Sequence, residues 1–150
     1  MTDFVLDSNV FVADLIGRKE ANQGQRAKPY LDPVRAGVAK AHTPSIIIIE
    51  VCSALAREPS LKEPERKVMA LRAQSLLRQF AEQGKIVVYQ LENTRLEQAA
   101  TMAMDYLLRS LDAIYVALSD ELKLELVTFD ENSLAEPLRR GGYTRVVVPT

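Results

Sequence analysis

FVLDSNVFVADLIG, residues 4–17, places three apolar residues ahead of an acid and continues as a mostly apolar segment that a glycine closes. Phe4, Val5 and Leu6 suffice for a short buried strand. The following residues suit a helix through Ile16, with Ser8 placed to cap its start and Gly17 to end it. The chain therefore begins as a strand running directly into a helix, and Asp7 stands at the strand's carboxyl end. In open α/β sheets that edge holds the ligand.

The same arrangement returns near the other end, where Asp130 follows an apolar strand over residues 124–129 in LVTFDENSL. Between them, strand and helix signals alternate. Residues 18–26 are polar and are expected as a mobile loop, followed by a helical segment reaching Val38 whose start Pro29 and Pro33 restrict. The run TPSIIIIE, residues 43–50, favours a strand by propensity but is too short to show a period. Ser45 as a cap after Pro44 decides for a helix reaching about Arg57, with a short strand before it. After Pro59 and Pro64, Val68, Leu71, Leu76 and Phe80 recur at helical spacing until Gly84. Residues 86–91 form a strand, Thr94 caps a helix through Leu108, and residues 111–122 form another helix. A short helix ending at Gly141 and Gly142 precedes a last strand over residues 145–148. Such alternation implies a three-layer α/β/α architecture around a mainly parallel sheet covered on both faces.

With 150 residues and 47% hydrophobic composition the chain has the size and core of one domain, expected to span residues 1–150. Its 19 basic and 20 acidic residues leave a net charge of −1, so no whole-molecule field draws in nucleic acid or an anionic membrane. A nucleic-acid partner must be gripped locally. The single cysteine, Cys52, cannot form an internal disulfide, and neither a signal-peptide pattern nor an apolar run of roughly 20 residues is present. A cytoplasmic protein without a membrane partner is expected.

Four acids are the candidate site: Asp7, Glu50, Asp112 and Asp130. An acid behind a strand often does no more than cap the next helix, which is the plain alternative for Asp7 and Asp130. Glu50 and Asp112 lie within strongly apolar runs, and carboxylates are almost never fully buried without a partner. Clustered carboxylates repel one another, and a cation relieves that repulsion. All four donors are oxygens, and the chain has one histidine, His42, so Mg²⁺ or Mn²⁺ suits the set better than zinc. Mg²⁺ retains waters, and one or two ions in such a cage suit phosphodiester hydrolysis.

The ordered set Asp7-Ser8-Asn9, Glu50, Arg109 to Ala113 (Arg-x-x-Asp-Ala) and Thr128 to Asp130 (Thr-x-Asp) resembles the PIN domain, most closely the VapC-type ribonuclease toxins of prokaryotic toxin–antitoxin pairs. The resemblance runs from Phe4 to about Val148. It implies a four- or five-stranded parallel sheet and a Mg²⁺- or Mn²⁺-dependent endoribonuclease acting on RNA. Asp7 and Glu50 would hold metal, and Asp112 and Asp130 would complete the site, partly through water. Asn9 and Thr128 would orient carboxylates or water, the alternative being capping and turn roles. The resemblance also implies a homodimer and a cognate antitoxin as partners. One departure stands out: the family often has a glycine shortly before the third acid, where this chain has Tyr106, Leu107 and Leu108.

Arg109 lies one turn before Asp112 and one turn after Asp105, which suits a helical salt bridge, with phosphate contact as the functional alternative. Arg18, Lys19, Arg26 and Lys28 could form a substrate flap, and Arg66, Lys67, Arg72 and Arg78 a phosphate track; solvated surface is the alternative for both. Asp14, Asp105 and Glu131 are expected in surface or capping roles, Cys52 packed as a small apolar residue, and His42 partly exposed. The rival functions are a non-catalytic PIN-like binding module and a PIN nuclease of housekeeping RNA processing. A phosphoacceptor receiver lacks its acidic pair and late lysine here, and nucleotide binding lacks a glycine-rich loop.

Overall fold

The computed structural model describes residues 2–150. Five strands form one all-parallel sheet in the order β3-β2-β1-β4-β5. They are β1 (Phe4–Leu6), β2 (Ala41–Pro44), β3 (Ile86–Tyr89), β4 (Leu126–Val127) and β5 (Val146–Val147). The first strand is central and buried throughout, as its uninterrupted apolar sequence requires in a sheet covered on both faces. It pairs Val5 with His42 on one side and with Leu126 on the other.

Side chains alternate across the sheet, so each strand feeds two separate cores. Phe4, Leu6 and Val127 pack beneath α1 (Ser8–Ile16), α2 (Gln23–Ala36), α3 (Ile47–Ala56) and α4 (Glu63–Glu82). Val5, Leu126 and Val146 pack beneath α5 (Asn93–Tyr106), α6 (Ser110–Leu122) and α7 (Glu136–Arg140). The chain works outward from β1 through β2 to β3, then returns across the sheet to β4. That reversal makes the carboxyl ends of β1 and β4 the switch point of the sheet, the edge at which doubly wound sheets bind ligands.

The elements agree with the sequence reading in type and order, and depart from it at their ends. None of the three expected caps operates. Ser8 is the first residue of α1, behind Asp7. Ser45 lies in the turn just after β2, its amide donating to the Tyr89 carbonyl at 2.9 Å, and α3 begins only after Ile46. At α5 the cap position is Glu92, whose carbonyl accepts from the Leu96 amide, so Thr94 is already helical. The strands end early, at Tyr89, Val127 and Val147.

Residues 18–26 are not the loop expected of their composition. After a 3-10 turn, Glu20–Asn22, the helix α2 begins at Gln23 and carries Pro29 and Pro33 inside it. Its buried stripe of Ala27, Leu31 and Val34 supplies the stabilisation that two missing amide donors remove. Gly24 lies so close to α1 that a Cβ there would fall 2.7 Å from the Gly17 carbonyl carbon. Only glycine fits that approach. No helix among the described residues is long and apolar enough to cross a membrane.

Candidate active site

Asp7 ends β1, with its amide donating to the Val127 carbonyl at 3.1 Å. It occupies the cap position of α1 yet makes no side-chain cap bond. Its carboxylate instead accepts from Thr128 Oγ1 at 2.7 Å and from Ser8 Oγ at 3.3 Å. The residue is only 6% exposed. Thr128 Oγ1 in turn accepts from Asn9 Nδ2 at 3.3 Å and from the Asp130 amide at 3.0 Å, while Asn9 Oδ1 accepts from the Phe129 amide at 3.1 Å. One hydroxyl thus ties the end of β1 to the end of β4, and Asn9 locks the connection.

Glu50 stands in the first turn of α3 and accepts from the Tyr115 hydroxyl at 2.6 Å. Tyr115 is a fully buried residue of α6, three positions after Asp112 and therefore on the same helix face. Sequence reasoning did not single it out, though its i+3 spacing from an acid was a signal. Asp112 opens α6 and pairs with Arg109 Nε at 3.0 Å. Asp130 accepts from the Ser133 amide at 3.1 Å and so caps the π-helical turn Glu131–Ala135, while its other oxygen pairs with Arg109 Nη2 at 2.9 Å. The capping alternative thus describes part of what Asp130 does and none of what Asp7 does.

The charges act on one another across the switch point. Burial first, then the neighbouring Glu50 and Asp112 carboxylates, push Asp7 up to about 7, against the opposing pull of the Thr128 hydrogen bond. Burial likewise raises Glu50, with Tyr115 opposing and Asp112 assisting. Asp112 is raised by burial, against the opposing Arg109 guanidinium. Desolvation and the Asp7 and Glu50 carboxylates push the Tyr115 phenol well above its ordinary range, so it remains a hydrogen-bond donor.

Among the described residues, no three acids, histidines or cysteines are gathered into a closed ligand set. The donor chemistry nevertheless fits a hard divalent ion.

Three of the eight cations read as a flap or a phosphate track, Arg18, Arg26 and Arg66, serve the fold. Arg18 pairs with Glu58 at 2.7 Å, and Arg66 Nε donates to the carbonyls of Glu58 and Leu61. Arg26 donates to the Pro149 carbonyl and lies 5.3 Å over the Phe129 ring. Asp14, expected at the surface, is instead buried in an ion pair with Arg35, whereas Glu131 pairs with Arg139 near the surface. Cys52 packs at intermediate burial, with its thiol 3.7 Å from the Ala70 carbonyl. His42 has two partners that the sequence did not suggest, the Tyr89 hydroxyl at 2.9 Å and Asp3 at 3.3 Å.

Solved structures with this fold include a chain of a toxin–antitoxin complex from Klebsiella pneumoniae, 20% identical with a TM-score of 0.65 over 98% of both chains. The VapBC2 complex from Rickettsia felis bound to a fragment of its promoter DNA contains a chain 12% identical, with a TM-score of 0.63 over 100% of both. FitAcB from Neisseria gonorrhoeae matches at 20% identity and a TM-score of 0.60, over 100% of this chain and 97% of that one. Comparison with curated protein sequences gives no match. The family model for the PIN domain matches residues 4–137, a span that starts with β1, ends in α7 and contains all four acids. On that match, which agrees with the parallel five-stranded sheet and the acids at its switch point, the chain belongs to the PIN domain family.

Proposed function

We propose that this protein is a Mg²⁺- or Mn²⁺-dependent endoribonuclease, the toxin of a toxin–antitoxin pair, with Asp7, Glu50, Asp112 and Asp130 as its metal-binding and catalytic acids. The observation that carries this reading is Asp7. It is buried, caps no helix and forms no ion pair among the described residues, while two further acids raise its proton affinity. A purely structural acid in that position costs stability with nothing in return.

In the proposed site Asp7 and Glu50 hold one or two ions directly, and Asp112 and Asp130 complete the set, partly through water. A divalent ion bound there supplies an activated water at neutral pH and neutralises charge growing on the scissile phosphate. Thr128 and Asn9 fix the direction of the Asp7 carboxylate, and Tyr115 fixes that of Glu50. The toxin role is supported by structurally similar chains from toxin–antitoxin complexes. Exposed apolar side chains on both helical layers, Ile49, Val68 and Leu71 on one and Met104, Leu107 and Leu111 on the other, offer area to an antitoxin and to a second copy in a homodimer.

The test is incubation of purified, antitoxin-free protein with total RNA in Mg²⁺, Mn²⁺ or chelator, beside Asp7→Asn. Metal-dependent cutting that the variant has lost by at least about a hundredfold is the expected result. Equal cutting by both proteins would show a contaminating nuclease. A folded protein that neither cuts RNA nor binds Mn²⁺ would be a non-catalytic module.

A further inference from the structure

Two of the four acids are already occupied by a cation of the chain itself. Arg109 spreads its guanidinium between Asp112 Oδ2, 3.0 Å from Nε, and Asp130 Oδ2, 2.9 Å from Nη2, and Nη2 also donates to Ser133 Oγ at 3.2 Å. The two acids come from different elements, the first turn of α6 and the connection after β4. A planar fork with several donors can bridge such a pair, as a point charge cannot. Asp112 and Asp130 are 17% and 23% exposed, whereas the Arg109 side chain is 68% exposed. The guanidinium is therefore the solvent-facing member of the cluster.

We propose that Arg109 is an internal counter-cation that holds Asp112 and Asp130 in the metal-free site and must release them before a divalent ion can use all four acids. The inference rests on the metal-dependent reading above. Exposed ion pairs are individually weak, so the clamp is displaceable by a doubly charged ion while still competing with it. Its position at the cap of α6 lets the side chain move without disturbing the helix.

The test is Mn²⁺ titration at fixed pH and ionic strength, followed through the spin-resonance signal of the free ion, on the wild type, Arg109→Ala, Arg109→Lys and Asp7→Asn. Arg109→Ala should bind Mn²⁺ roughly three- to tenfold more tightly than wild type, the range expected when two exposed ion pairs no longer compete. Arg109→Lys, which cannot fork across both acids, should fall between them. Circular dichroism of each variant confirms folding, and Arg109→Gln, which keeps a polar planar head without charge, should behave as the alanine does. Weaker binding in Arg109→Ala and Arg109→Gln would overturn the inference and make Arg109 a residue that positions the acids for metal. If wild type and Arg109 variants bind Mn²⁺ equally and Asp7→Asn does not, the clamp fails and the metal site stands. If none binds Mn²⁺ at millimolar concentration, both fail.

Discussion

At position 7 the ordinary fate of an acid behind a strand is displaced by a hydroxyl from the other end of the chain. Thr128 reaches Asp7 across 121 residues of sequence. Asp7 was legible because it stands against the strand that precedes it. Thr128 and Asn9 were legible only through the family pattern, and Tyr115 was not singled out, because a tyrosine in an apolar helix reads first as core. The raised proton affinity of Asp7 has a consequence for stability in the metal-free protein. Its carboxyl titrates at about 7 when folded against 3.8 as a model acid, so between these values the folded state binds more protons than the unfolded one. Stability then falls as pH rises through that window, by up to about 4 kcal/mol from this residue alone. Asp7→Asn removes the charge that burial penalises while leaving an oxygen for Thr128. In chelator the variant should be more stable than wild type at pH 8, with a shallower decline from pH 4 to pH 7, read by urea denaturation. An Asp7→Asn protein less stable than wild type at pH 8 would mean that the buried carboxylate is not under strain.

The junction between α5 and α6 shows why element ends are harder to read than elements. Helix periodicity carried the expected helix to Leu108, but the structure stops it at Tyr106 by turning Leu107 into the left-handed region, φ 54°. This is close to where the resemblance leads one to look for glycine, and the chain holds leucine in the conformation that glycine adopts freely. Leu107 is 89% exposed, so its side chain returns little packing energy for that backbone cost. A left-handed non-glycine residue costs roughly 1–2 kcal/mol, and glycine loses roughly 0.5–1 kcal/mol more chain entropy on folding. Leu107→Gly should therefore stabilise the monomer by about 0.5–1 kcal/mol, seen as a higher denaturation midpoint at unchanged slope. A fall in stability would show that Leu107 is covered in solution, which a concentration series in light scattering would reveal. The early start of α2, at Gln23 within the stretch expected as a loop, was missed for the complementary reason. Its start depends on the fit of Gly24 against Gly17, a contact between elements that local composition does not encode.

For the whole molecule, strand–helix alternation was enough to give the layers, but not the strand order, which depends on the return from β3 across the sheet to β4. That return brings Asp7 and Asp130 to the same switch point, so the site is a product of topology that no local motif displays. The same scale governs how RNA would be held. The chain carries a net charge of −1, and many of its cations are already engaged: Arg18, Arg35, Arg95, Arg109, Arg139, Arg145 and Lys123 in ion pairs, Arg26 and Arg66 on backbone carbonyls. A cation held in this way neutralises a phosphate only by giving up its internal partner. With about half of the cations so engaged, a grip on about four phosphates of single-stranded RNA predicts a slope near −3 when log kcat/KM is plotted against log salt. Measured at saturating Mn²⁺ between low and physiological salt, a slope of that size or shallower fits recognition by a few local contacts beside the acids. A much steeper slope would require a concentrated basic surface, for which the cations of α4 with no ion pair or carbonyl partner among the described residues, Lys67, Arg72 and Arg78, are the candidates, so charge removal there is the control that separates the two outcomes.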